Sequence, residues 1–265
     1  MSDELTYSTY LRIDDLLSLQ TPQSAVAGRE EHDEMLFIVI HQVYELWFKQ
    51  VLHELDHAVV LLDRDETTRC GHTLKRVLTI MKVMVAQMDV LETMTPLEFL
   101  SFRERLESGS GFQSAQFREL EFLLGNKRGS VLDALPADGA VRESLRRRLQ
   151  APSLWAAFCA LVARRGHAIP SDVLGRDPSL STEPNEGVQN ALVEVYRHDR
   201  DAAELCERLV DLDEGLQEWR YRHVKMVERT IGTKPGTGGS SGADYLKTTL
   251  GRPVFPDLWE IRARL

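Results

Sequence analysis

None of the three cysteines, Cys70, Cys159 and Cys206, lies near enough to another to form a CxxC pair. That excludes cysteine-based zinc modules and a disulfide framework, and fits reduced thiols in a cytoplasmic protein. The start of the chain, Met1-Ser2-Asp3-Glu4, is acidic and lacks the apolar stretch of a secretory leader. Long hydrophobic runs are missing as well. Stretches such as residues 35–40 fall far short of the ~20 apolar residues that cross a bilayer, so no membrane association is expected. No segment alternates apolar and polar residues as a half-buried strand does, and no internal repeat stands out. Clustered basic charge is scarce in a chain of net charge −9. Its one dense basic run, Arg146-Arg147-Arg148, reads as a solvated helix face. Nucleic acid, whose binding needs Lys and Arg to displace counterions, is therefore not an expected partner.

What the chain does have is helical periodicity. Its 265 residues, 43% hydrophobic and 28% charged, suffice for one sizeable core with a small helical insertion. A long helix is predicted from residue 32 to about 65, with Asp33 and Glu34 favouring its N-terminal dipole. Its apolar stripe runs through Phe37, Ile40, Tyr44, Val51 and Leu55, and its first turns are apolar enough for burial on more than one side. A second is predicted over residues 73–92, with its stripe at Leu74, Val77, Met81, Met84 and Met88. Thr95-Pro96-Leu97-Glu98 then combines a capping box with Pro at the first helical position, opening a short helix that carries Phe99 and Arg103. A Gly-Ser turn at 108–111 breaks it, and the next helix ends near Gly125. Two modest helices divide near Pro152, and three prolines make residues 167–187 an extended surface loop. One very long helix is predicted over 188–231, stopping at Gly232. The Gly- and Ser-rich segment 233–242 and a last helix from near Ala243 follow. The tail carries no readable pattern.

Four features bear on chemistry. His41 shares an apolar helix face with Phe37 and Phe48, and His223 follows Trp219 by four residues on another helix. An imidazole in apolar surroundings must find a hydrogen-bond partner or stay neutral. Each is compatible with a satisfied core histidine, the commoner case, or with one of two inward groups flanking a planar cofactor. A neutral imidazole is a normal axial ligand of haem iron, although no CxxCH attachment motif is present. Arg103 offers a planar fork for a carboxylate, or a surface ion pair with Glu104 or Glu107. The glycine segment 236–242 reads as a linker or as a lid with Thr237 as its polar contact. It lacks the Gly-Lys-Ser/Thr ending of a P-loop and the preceding strand of a dinucleotide fingerprint.

Taken in order, four stretches resemble the tryptophan 2,3-dioxygenase family. They are Phe37-Ile38-Val39-Ile40-His41-Gln42-Val43-Tyr44-Glu45-Leu46-Trp47-Phe48-Lys49-Gln50, then Ser110-Gly111-Phe112-Gln113-Ser114 with Gln116-Phe117-Arg118, then Trp219-Arg220-Tyr221-Arg222-His223, and residues 236–242. They keep the family's order and separations from about Leu5 to about Trp259. The resemblance implies an all-α helical bundle around a buried haem b, ferrous in the active form. The implied reaction opens the indole C2–C3 bond of L-tryptophan with O2 to give N-formyl-L-kynurenine, the first step of breakdown by the kynurenine route. By the same resemblance His223 is the axial iron ligand, and His41 is the distal group facing the indole N–H. Phe37 and Phe99 wall the indole pocket, Arg103 pairs with the substrate carboxylate, and Thr237 contacts its amino-acid group. Ser110 and Gly111 lie beside the haem. Tyr7, Tyr10 and Leu11 belong to an N-terminal segment, residues 1–20, that completes a neighbour's pocket in a homotetramer.

There are departures. Some family members carry Tyr where this chain has Phe99, and residues 129–187, the expected small insertion in a single 1–265 domain, match poorly. Two other readings use the same haem site. One is a relative that adds a single oxygen atom to a tryptophan derivative, giving an oxindole or hydroxylated product. The other is a non-catalytic haem-binding protein. Arg103, Thr237 and the lid glycines argue against the latter, since a sensor has no need to recognise an amino acid.

Overall fold

The two apolar stripes become two long antiparallel neighbours in the computed structural model, which describes residues 5–107, 109–135, 139–237 and 241–265. Three short N-terminal helices, α1 (Tyr7–Leu11), α2 (Ile13–Leu17) and α3 (Gln23–Val26), lead into α4 (His32–Asp63) and α5 (Thr67–Leu91). Then come α6 (Pro96–Phe102), α7 (Ala115–Leu123), α8 (Ala140–Gln150), α9 (Leu154–Arg164) and α10 (Ser171–Leu174). The chain closes with α11 (Glu186–His198), α12 (Arg200–Ile231), α13 (Ala243–Lys247) and α14 (Pro256–Glu260). Single 3-10 turns occupy Arg103–Leu106, Gly111–Gln113, Gly129–Ala134 and Ile261–Arg264. The described residues contain no strand, so the fold is all-α as expected.

The centre is α5, packed between α4 and α12. Every residue of its predicted stripe is buried, Val77 and Met84 almost completely. Side chains of this kind each contribute about 1.5–3 kcal/mol on leaving water. Helix α9 joins the same core through Leu154, Phe158, Leu161 and Val162. Helix α8 instead covers a small separate cluster of Phe122, Leu132 and Leu145. Helix α4 buries Ile40, Tyr44, Val51 and Leu55, but Met35, Val39 and Leu46 on its other side are exposed in this single chain.

Two predicted boundaries move. Helix α5 begins at Thr67, ahead of the expected residue 73, because Gly71 does not break it. A Cβ there would make only ordinary contact with Leu205, 3.9 Å away, so the glycine sits inside the α5–α12 packing. The single helix expected over 188–231 is two helices. Asp199 leaves helical geometry at φ −128° and ψ 88° and caps α12 by accepting from the Ala202 amide at 3.1 Å. Arg165 holds the same carboxylate at 2.9 Å and His167 approaches it at 3.6 Å, so the break is fixed by contacts from α9 and its following loop. The apolar spacing runs through the break unchanged, and periodicity alone could not reveal it.

The unassigned tail docks on α12. Asp213, fully buried, accepts from the Val254 and Phe255 amides at 2.9 and 3.0 Å and from Trp259 Nε1 at 3.0 Å. The capping box at the start of α6 forms as predicted: the Thr95 amide donates to Glu98 and the Glu98 amide to Thr95 Oγ1. All three cysteines are free and buried. Among the described residues no helix is long and apolar enough to cross a membrane.

Candidate functional site

Helix α4 sends Phe37 and His41, one turn apart, into a cavity of about 280 Å³ whose other long wall is α12. His41 Nδ1 lies 2.7 Å from the Phe37 carbonyl, which accepts its proton in the neutral ring. That tautomer points Nε2, an acceptor, away from the helix backbone. His41 is exposed to the cavity and to solvent in this single chain. Desolvation lowers its pKa against the opposing pull of the Phe37 carbonyl and the Glu45 carboxylate.

Across the cavity, α12 supplies His223. Its ring stacks on Trp219 one turn earlier, with centroids 5.3 Å apart and planes 18° from parallel. Trp219 is itself locked by Phe117 at 5.2 Å and Phe48 at 6.2 Å, so the orientation of His223 derives from the core. Burial, with a smaller contribution from His41, pushes His223 down to about 4. The ring is therefore neutral at any ordinary pH. Among the described residues no hydrogen bond occupies its nitrogens.

Phe37 and Phe99 form one end of the cavity with ring centroids 5.8 Å apart, and Phe102 braces Phe99 edge-on at 5.5 Å. Arg103, in the 3-10 turn just past α6, reaches the same end. It makes no ion pair among the described residues, and its guanidinium donates to the Pro235 carbonyl of the glycine segment. Thr237 Oγ1 donates to the Gly109 carbonyl at 2.6 Å. Pro235 and Thr237 thus tie the start of the glycine segment to Arg103 and Gly109; residues 238–240, like residues 1–4, 108 and 136–138, fall outside the described ones. Ser110 caps the turn Gly111–Gln113, and both Ser110 and Gly111 line the cavity. A Cβ added to Gly111 would meet nothing within 4 Å.

The lining also holds a charged cluster. Arg118 pairs with Glu121, and Arg128 grips both oxygens of Glu121 at 2.8 and 2.9 Å while donating to the Tyr245 hydroxyl at 2.8 Å. Sequence reasoning gave these residues no role. An Arg and a Glu three apart on an amphipathic helix read as a surface pair, and nothing local signals that Arg118 and Glu121 are buried. Of the residues singled out beforehand, His41, His223, Phe37, Phe99, Arg103, Ser110, Gly111 and Thr237 all converge on this cavity. Tyr7, Tyr10 and Leu11 do not; they stand exposed on α1. No group of three or more His, Cys, Asp or Glu side chains among the described residues is arranged to hold a metal ion by itself.

These features define an all-α protein with a histidine from each of two long helices lining one aromatic-walled cavity, which Gly236, Thr237 and Gly242 of the glycine segment also line. Residues 1–134 and 155–265 match the family described as tryptophan 2,3-dioxygenase. Over its whole length the chain is 58% identical to a protein named tryptophan 2,3-dioxygenase from Herpetosiphon aurantiacus, itself covered completely. Identity is 55% to the protein of that name from Anaeromyxobacter sp. (strain K), covering 100% of this chain and 97% of the relative. It is 44% to the one from Caulobacter vibrioides, with both chains fully covered. The chain belongs to the tryptophan 2,3-dioxygenase family. Its unmatched stretch is confined to residues 135–154, around α8, and is narrower than the 129–187 expected.

Proposed function

We propose that the protein is a haem-dependent oxidoreductase that cleaves the indole C2–C3 bond of L-tryptophan with O2, yielding N-formyl-L-kynurenine at the head of the kynurenine route. The observation that carries this reading is the meeting of His41 and His223 across one cavity. At its end, Phe37, Phe99 and Arg103 wait under the lid, in a chain 58% identical from end to end to a tryptophan 2,3-dioxygenase.

The residues fit a haem b. His223, a neutral imidazole that lines the cavity and is held by Trp219 stacking, would hold the haem iron. The open space in front of Gly111 gives a planar group room against backbone. When bound, the ferrous haem supplies the oxygen chemistry at its iron. The protein supplies position, polarity and exclusion of water. Arg103 holds the substrate carboxylate by its fork and Thr237 contacts the amino-acid group, which draws the lid over the site. Phe37 and Phe99, in contact with each other, form the aromatic wall against which the indole lies. Phe99 provides an aromatic wall without the hydroxyl of a Tyr. His41, with its proton on Nδ1, accepts the indole N–H at Nε2 and fixes the orientation of the ring; we assign it positioning rather than proton removal, because the indole N–H is a very weak acid. Both oxygen atoms of O2 end in the product, one in each carbonyl formed by the broken bond.

The exposed apolar side chains Tyr7, Tyr10, Met35, Val39 and Leu46 support a homotetramer in which residues 1–20 complete a neighbour's pocket. Buried free thiols support a cytoplasmic location. Mass spectrometry of the product from the reduced, haem-loaded protein, L-tryptophan and isotopically labelled dioxygen tests the reading. Two labelled atoms in N-formylkynurenine are expected. One labelled atom would make the protein a monooxygenating relative, and haem binding without turnover would make it a haem-binding protein.

A further inference from the structure

Two carboxylates line the main cavity, and they are placed differently. Glu121 is buried and holds Arg118 and Arg128. Glu45 stands on α4 one turn past His41 and makes no ion pair among the described residues. The side-chain amide of Gln116, on α7, donates to the Glu45 carboxylate and to the Glu45 backbone carbonyl, each at 2.8 Å. Residues one turn apart on a helix share a face. His41 and Glu45 both line the cavity, so the carboxylate stands beside the imidazole. Desolvation lowers the proton affinity of His41, while the Phe37 carbonyl and the Glu45 charge work against it.

The other charged and titratable groups around the cavity are engaged elsewhere. Arg103 donates to the Pro235 carbonyl, and Arg118 and Arg128 hold Glu121. Arg220 donates to the carbonyls of Thr249 and Arg252. Tyr44 gives its hydroxyl to the Met84 carbonyl, and Tyr245 accepts from Arg128. His223, on α12, makes no ring contact or hydrogen bond with His41 among the described residues. Glu45 is thus the charged neighbour of His41 on α4 that no described cation neutralises. An amide such as Gln116 holds a carboxylate in place without cancelling its charge.

We propose that Glu45, fixed by Gln116, is a positioning residue that sets how strongly His41 accepts a hydrogen bond at Nε2. The inference rests on the reading of His41 as the acceptor of the indole N–H, and deepens it. A nearby negative charge makes the ring more basic, and a more basic acceptor holds a weak donor more firmly. The same charge brings protonation of His41 closer to neutral pH, and a protonated ring has no acceptor left. Glu45 therefore strengthens the contact near neutral pH and narrows the acid range over which it survives.

The first measurement needs no haem. The His41 ring signal of the full haem-free chain, identified by its absence in His41→Ala, is followed by NMR across pH. Its titration should move to lower pH in Glu45→Gln and stay close to wild type in Glu45→Asp, which keeps the charge. In the haem-loaded enzyme, Glu45→Gln should raise KM for L-tryptophan roughly three- to tenfold near neutral pH, the weight of a weakened hydrogen bond, with kcat little changed. The acid limb of its kcat/KM profile should lie at lower pH than in the wild type. An unmoved His41 titration would overturn the proposal and leave Glu45 a tie between α4 and α7, whatever the kinetics. A moved titration with an unchanged KM would overturn its role in holding substrate. Should Glu45→Gln fail to fold, Gln116→Ala loosens the carboxylate without removing it: a smaller shift of His41 in the same direction supports the proposal, and none overturns it. A shifted His41 in a protein that neither binds haem nor turns over would sink the haem reading while leaving the pairing of Glu45 with His41 intact.

Discussion

A single imidazole illustrates how burial and chemistry are joined in this protein. His223 would carry a charge at slightly acid pH in water, yet its surroundings hold it near 4. In the unfolded chain the same group titrates at about 6.5. Between these values the unfolded chain binds a proton that the folded chain refuses, so the haem-free protein should lose stability as pH falls from about 6.5 toward 4. His41, shifted in the same direction, adds to the slope. Urea midpoints across that range should fall steeply for the wild type and less so for His223→Ala; parallel slopes would remove His223 as a source. The same variant should lose its Soret band on haem titration, and an unaltered spectrum would refute the axial assignment. Arg103→Ala should lower kcat/KM for L-tryptophan by about 10- to 100-fold, the loss of one or two charged contacts. Unchanged kinetics would leave Arg103 with only its Pro235 contact. The two histidines were legible in the sequence because they stand in long, ordered motifs, while the role of Arg103, outside those stretches, was reached only through the family resemblance. The burial of Glu121 was not legible, because an ordinary charged residue becomes informative only once its surroundings are known.

Elements show a different limit. Stripes at three- and four-residue spacing located α4, α5 and α12, and the Thr95 box located α6, since each signal is local. The break at Asp199 is not local: it depends on Arg165 and His167 arriving from another part of the chain. Asp199→Ala should therefore cost more than an ordinary cap, about 1–2 kcal/mol, measured as a drop in unfolding free energy by urea. A loss within error of zero would mean that the two helices can fuse without penalty. The docking of α14 was equally unreadable, because Asp213 and the amides it gathers lie some forty positions away in sequence.

At the scale of the whole molecule, one chain leaves work undone. Tyr7 and Tyr10 are 76% and 72% exposed, and the outer side of α4 carries uncovered Met35, Val39 and Leu46. Removing the first twelve residues should impair turnover by depriving a neighbouring cavity of its last wall, with KM rising more than haem content falls. Full activity of the shortened chain would show that the segment is dispensable. The apolar opening turns of α4 raised the expectation of burial on more than one side; in the single chain Met35 and Val39 are exposed, and periodicity cannot say what would cover them. Inside the same molecule, Cys70, Cys159 and Cys206 sit in the central core, their thiols pushed far above their usual pKa by burial. A protein that handles oxygen thereby keeps its own oxidisable sulfur out of reach. Alkylating reagents can touch these atoms only after the helices part, so the pace of thiol labelling in the native state is a built-in clock for how often this core opens.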